Sequence, residues 1–152
     1  MDSMMKAIKR VSRCFTLYRG RCLEAEGING YQHSYLLRIC EQPGLTQDEL
    51  AQAIYVNKSN VTRQLALLEQ EGFVTRQPGE TDRRQMAVYP TDKARALYPK
   101  VRQVAMDWEA ALLEGMGEEE RAALAVSLEK MAVRAAELAA PRQTVKGDGR
   151  PE

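Results

Sequence analysis

The pattern that most constrains this chain is a pair of helix starts eleven residues apart, at Thr46 and Asn57. Thr46-Gln47-Asp48-Glu49 has the S/T-x-x-E form of a capping box, in which two side chains satisfy the first free amides of a helix. Leu50, Ala51 and Ile54 follow on the face that such a helix would bury. After a short break at Tyr55-Val56 comes Asn57, a residue type favoured at N-caps. The spacing predicts a second helix over about 58–71, with Val61, Leu65 and Leu68 inward and Gly72 as its stop. Upstream, a helical stretch over 31–41 carries Tyr35, Leu36, Ile39 and Cys40 and ends at Pro43-Gly44.

Beyond Gly72 the apolar period changes from helical to alternating. Residues 73–77 and 85–89 read as two short strands, separated by the polar, turn-rich loop 78–84. Two short helices joined by a tight turn form a helix-turn-helix, and a following hairpin with a basic tip makes it winged. Lys58, Ser59, Asn60, Thr62, Arg63 and Gln64 are read as the outer face at the start of the second helix. Short hydrogen-bonding groups and cations at a helix N-terminus suit phosphates and major-groove base edges, with Asn and Gln matched to adenine and Arg to guanine. The hairpin adds Arg76, Arg83 and Arg84, cations suited to a narrow minor groove.

Long helical stretches flank this region. Over 4–26, Ile8, Val11, Phe15, Tyr18, Cys22 and Ala25 form one apolar stripe. A helix capped by Thr91 or Asp92 is expected to run to about Glu114, kinked at Pro99. After Gly115-Met116-Gly117, the acids Glu118, Glu119 and Glu120 suit a helix N-terminus, and Leu124, Leu128, Met131 and Leu138 continue that helix toward Pro141. The expected fold is mostly α (α+β): a winged helix-turn-helix over 31–91 with a two-stranded wing, within one domain spanning 1–152. Helical regions at 4–26 and 92–140 flank it, and residues 141–152, rich in charge, Gly and Pro, are expected to be disordered.

Composition sharpens the function classes. The chain has 152 residues, 22 Lys/Arg, 21 Asp/Glu and a formal net charge of +1. That balance excludes a general polycation, yet the charges are segregated. Residues 55–100 hold eight Lys/Arg against five acids, whereas 101–140 hold four against eight. No apolar run approaches the ~18–20 residues of a membrane span, and no signal-peptide core is seen at the start, so a cytoplasmic protein is expected. Three cysteines without metal-type spacing fit a reducing compartment. One His, no Gly-rich phosphate loop and no nucleophile–base pairing give no support to an enzyme, and neither a metal nor a cofactor is expected. A winged-helix adaptor that binds protein is the structural alternative, against which stands the cationic face of 58–64 with its Arg-bearing wing.

The stretches Leu45 to Ala51, Asn57 to Leu65 and Leu68 to Arg76 resemble the MarR family of bacterial transcription regulators, as does Asp82-Arg83-Arg84 followed by Val88 to Thr91. The resemblance covers about residues 5–140 and is most specific over 46–91. It implies double-stranded DNA as partner, with Asp82 orienting Arg84 on the wing for the minor groove. Pro90 departs from the family's apolar residue there and puts the pairing of the strand's end in question. The resemblance further implies a homodimer through the terminal helical regions, a pseudo-palindromic operator, and usually repression relieved by a small aromatic or phenolic effector. Tyr18, Tyr31, His33, Tyr35 and Trp108 are the expected effector contacts, against the plainer reading of core packing. Cys14, in the context Cys14-Phe15-Thr16-Leu17-Tyr18, resembles the reactive cysteine of the family's peroxide-sensing branch and gives a thiol-switch alternative. Cys14 and Cys22, on one helix and about 12 Å apart, are too distant for an intrachain bridge.

Overall fold

The computed structural model describes residues 3–140; the tail expected to be disordered lies outside them. The elements in chain order are α1 (Met4–Cys22), a 3-10 turn at Glu24–Glu26, α2 (Gln32–Glu41), β1 (Leu45–Thr46), α3 (Gln47–Ala53) and α4 (Lys58–Gln70). Then come β2 (Val74–Pro78), β3 (Met86–Pro90), α5 (Asp92–Leu112) and α6 (Glu118–Ala139). α1 ends four residues earlier than the apolar stripe suggests, because Leu23 leaves the helix and enters the core fully buried.

Both helix starts are built as the sequence predicts. Thr46 Oγ1 accepts from the Glu49 amide at 3.2 Å, and Glu49 Oε2 accepts from the Thr46 amide at 2.8 Å. Asn57 Oδ1 accepts from the Asn60 amide at 2.8 Å. Between the two helices Tyr55 adopts φ 55°, a left-handed conformation that lets the chain reverse within two residues. Val61, Leu65 and Leu68 are fully buried, in one core with Leu36 and Ile39 of α2, Leu50 of α3, Phe73, Val74 and Val88, and Val101 of α5. Each such side chain contributes roughly 1.5–3 kcal/mol of hydrophobic stabilisation.

The expected two-stranded wing is the hairpin β2–β3, and a further strand joins it in a three-stranded sheet of order β1-β3-β2, all antiparallel. β1 is the added edge: Leu45 and Thr46 pair with Val88 and Ala87, and the Gly44 amide donates to Val88 O at 2.8 Å. Pro90 does not fray the hairpin. It sits buried opposite Val74, and the ladder's next bond comes from the Thr91 amide to Phe73 O at 3.0 Å. Thr91 Oγ1 then accepts from the Ala94 amide at 3.3 Å and so caps α5. The helix runs through Pro99 to Leu112.

The chain divides into two compact units at Leu112/Leu113. In the first, α5 packs on α2 and α1. In the second, α6 has no buried residue, and Val126, Leu128, Val133 and Leu138 stand exposed along it.

Gly30 brings the start of α2 against α1. A Cβ there would lie 2.0 Å from Thr16 O, and that neighbour is backbone, which cannot step aside alone. Gly30→Ala is expected to cost about 3 kcal/mol, the upper range for overpacking. A urea midpoint indistinguishable from the parent's would show that α1 is free to move away.

Candidate nucleic-acid interface

The outer face of α4 and the hairpin tip supply the site. Lys58, Ser59, Thr62 and Arg63 are exposed over the first turns of α4. Ser59 Oγ donates to Asn57 Oδ1 at 2.9 Å, and Thr62 Oγ1 donates to the Lys58 carbonyl at 3.0 Å. Lys58 pairs with Asp48 of α3 at 2.9 Å, but both side chains are well exposed. Such a pair is worth about 0–1 kcal/mol, so a phosphate could take the ammonium over. The thirteen residues of α4 also direct the positive end of its dipole at this surface.

The hairpin is held by its own backbone. The Gly79 amide donates to Gln85 O at 2.8 Å and the Gln85 amide to Asp82 O at 3.1 Å. Asp82 Oδ1 accepts from the Arg84 amide at 3.0 Å, fixing the backbone from which the Arg84 side chain departs. Arg83 and Arg84 are exposed. Lys58 and Arg84 line one cleft of about 230 Å³, together with Gln47, Asp48 and Met86, so the start of α4 and the wing form one continuous surface.

Three expected contacts sit elsewhere or are already engaged. Gln64 is only 8% exposed. At about 100° per residue, position 64 lies about 40° from Leu68 and about 60° from Val61, so it borders the inner stripe of α4 and not its outer face. Arg76 stands on the same side of β2 as buried Val74 and therefore faces α4, where Glu69 Oε2 accepts from its Nε at 3.0 Å and its Nη2 at 2.5 Å. That guanidinium holds the Glu69 carboxyl below its ordinary range. Asn60 is half-buried, and its Oδ1 accepts from Tyr35 Oη at 2.7 Å.

The aromatic residues divide as well. Trp108 of α5 stacks on Phe15, with centroids 5.4 Å apart, and lies tilted against Tyr18 at 5.0 Å. Tyr31 is 64% exposed, and Tyr35 is buried with its hydroxyl on Asn60. His33 is buried. Its Nε2 lies 2.9 Å from Val101 O, and since a carbonyl can only accept, that nitrogen carries the proton. Nδ1 is then a bare acceptor, buried without a partner.

Beside it lies a residue the sequence reading passed over. Arg19 Nη1 donates to Ser34 Oγ at 3.0 Å and Nη2 to Thr16 Oγ1 at 3.3 Å, while Nε is buried without a partner. Its guanidinium stands 4.7 Å from the Phe15 centroid, and desolvation pushes its pKa down. Phe15, Arg19, His33, Ser34 and Leu37 line a cavity of about 260 Å³. No local pattern singles Arg19 out: residues 15, 16, 22 and 23, one turn away on either side, include no acid, but the same holds around Arg10 and Arg13. Of the cysteines, Cys14 is exposed on α1, Cys22 neighbours Tyr18, and burial pushes the Cys40 thiol up.

A capped helix pair, cations exposed at the start of α4 and a pinned arginine hairpin make a winged helix-turn-helix. The MarR family model matches residues 28–86. The HTH-type transcriptional regulator YybA of Bacillus subtilis (strain 168), itself uncharacterized, is 31% identical over 131 residues, covering 86% of this chain and 87% of YybA. A MarR transcriptional regulator from Methanosarcina mazei Go1 is 30% identical, with a TM-score of 0.83 over 89% of this chain and 97% of that structure. The transcriptional repressor CouR, solved on a 23-mer DNA duplex, is 28% identical, with a TM-score of 0.73 over 86% of this chain and 92% of that one. The chain belongs to the MarR family: it is a DNA-binding transcriptional regulator, not an enzyme. Among the described residues no helix is long and apolar enough to cross a membrane.

Burial, with the nearby Arg19 cation, lowers the His33 pKa from 6.5 to about 4. The unfolded chain therefore binds the extra proton first, and stability is lost as pH falls from 6.5 toward 4. Between pH 7 and 5, above the range of ordinary carboxylates, the loss is expected to be on the order of 2 kcal/mol. Urea titrations of the parent and of His33→Gln at both pH values check this; equal slopes in the two proteins would assign the pH dependence to another group.

Proposed function

We propose that this protein is a cytoplasmic, homodimeric repressor that binds a pseudo-palindromic operator and is released by a small aromatic acid bearing a hydroxyl. The observation that carries the DNA-reading part is the continuous surface joining Lys58, at the start of α4, to Arg84, on a hairpin whose backbone is pinned by Asp82. In this reading Lys58, Ser59, Asn60, Thr62 and Arg63 enter the major groove. Arg84, helped by Arg83, enters the adjacent minor groove, and Arg76 and Gln64 support α4 from behind.

Exposed apolar residues on α1 and on α6 favour a second copy as cover. Met4, Met5, Val11 and Leu17 of α1 stand open, as do Val126, Leu128, Val133 and Leu138 of α6. A two-fold dimer would place recognition helices roughly 34 Å apart, one turn of DNA. That CouR is a repressor supports the same sense of regulation here.

The effector reading rests on complementary unmet groups in one cavity. Arg19 Nε is a donor without a partner, and His33 Nδ1 an acceptor without one. A carboxylate would satisfy the first and a phenolic hydroxyl the second, with Phe15 as the apolar wall. Filling the cavity would loosen the Arg19–Ser34 hydrogen bond between α1 and α2, the helix that also packs on α3.

Two measurements test these parts separately. Arg63→Ala and Arg84→Ala are each expected to weaken binding to a selected operator about tenfold, and removal of a phosphate contact flattens the salt dependence by about one charge. Full affinity in both variants would remove the recognition surface. For release, hydroxybenzoate is titrated into the protein–operator complex. Arg19→Gln is expected to shift the response at least about tenfold to higher concentration, the scale of a lost charge-assisted bond, with operator affinity kept. An unchanged response would place the effector elsewhere.

A further inference from the structure

Asn60 is the one carboxamide of α4 that reaches both the core and the outer surface, and its orientation is set from within. Tyr35, 2% exposed on α2, donates its hydroxyl to Asn60 Oδ1 across 2.7 Å. Burial raises the Tyr35 pKa, so the phenol keeps its proton and acts as the donor. A phenol bonded to the carboxamide oxygen turns that oxygen inward. The other end, Nδ2, has no hydrogen-bond partner among the described residues and is not sealed from solvent.

We propose that Tyr35 is a positioning residue for base readout: by holding Asn60 Oδ1 it makes Asn60 present donors only, so that this position reads guanine instead of adenine. Bidentate recognition of adenine needs both ends of a carboxamide, the oxygen for N6–H and the nitrogen for N7. With the oxygen turned inward to Tyr35 and its second lone pair aimed away from the groove, the NH2 group faces an edge where both N7 and O6 accept, which is that of guanine. Gln64, the other carboxamide in the first two turns of α4, is buried and offers no second adenine reader. The proposal rests on α4 being the recognition helix.

The test begins with duplexes selected from a random pool by the full-length protein. Asn60→Ala identifies the base position whose preference depends on Asn60. At that position the parent is expected to favour guanine over adenine by about fivefold or more, the lower end of a good base contact, and to weaken on 7-deazaguanine. Tyr35→Phe frees the oxygen and is expected to shift the preference toward adenine, with thermal melting run alongside to verify folding. If that variant does not fold, the parent's response to 7-deazaguanine decides alone. Adenine preferred by the parent, insensitivity to 7-deazaguanine, an unchanged guanine:adenine ratio in Tyr35→Phe, or no position altered by Asn60→Ala would each overturn the proposal. Failure of the underlying reading looks different: Arg63→Ala and Asn60→Ala would both leave affinity for every selected duplex unchanged.

Discussion

Much of the first unit is tied together by α2, whose consecutive side chains reach three different neighbours. His33 Nε2–H donates to the carbonyl of Val101 on α5, Ser34 Oγ accepts from Arg19 on α1, and Tyr35 donates to Asn60 on α4. On a helix, successive residues are rotated by about 100°, so three in a row address three directions. Leu36 and Ile39 then anchor the helix in the core. Because these bonds are half-buried or buried, breaking one leaves a desolvated group behind, and that asymmetry gives α2 a defined place among its neighbours.

Charge acts here through placement. The whole chain is close to neutral, and some of its basic groups stand exposed while others are held by internal partners. Arg76 braces β2 against α4 through Glu69, Lys93 donates to the carbonyl of Glu71 and stands 4.2 Å from the Phe73 centroid, and Arg19 is turned into a cavity. Arg63, Arg83 and Arg84 remain outward. A reader built on a few directed cations depends on shape and spacing more than a polycation does.

The local rules were legible because they act over three or four residues. The capping box at Thr46 and Glu49, the Asn57 cap, the stop near Gly72 and the two long hairpin strands all follow from neighbours in sequence. β1 was not legible: two residues carry no periodicity, and Leu45–Thr46 are a strand only because β3 lies beside them. Gln64 has the hydrogen-bonding chemistry of an outer-face reader, but helical geometry sets it at the edge of the stripe of Val61 and Leu68, where it is buried. Arg76 lies on wing strand β2, as its sequence position predicts, but strand alternation points its side chain at α4.

The sequence by itself determined the order of the helices and of the hairpin, the winged helix-turn-helix and the family, because caps, periodicity and turn chemistry are written in short-range patterns. The tertiary structure decided which polar side chains are available. Whether a carboxamide or guanidinium faces solvent depends on what packs against it from twenty or more residues away, as Tyr35 does on Asn60. It also exposed the unmet donor of Arg19 and acceptor of His33, which share a cavity only because α1 and α2 fold side by side. Hydrogen-bond satisfaction is a property of three-dimensional neighbours, and no one-dimensional pattern contains it.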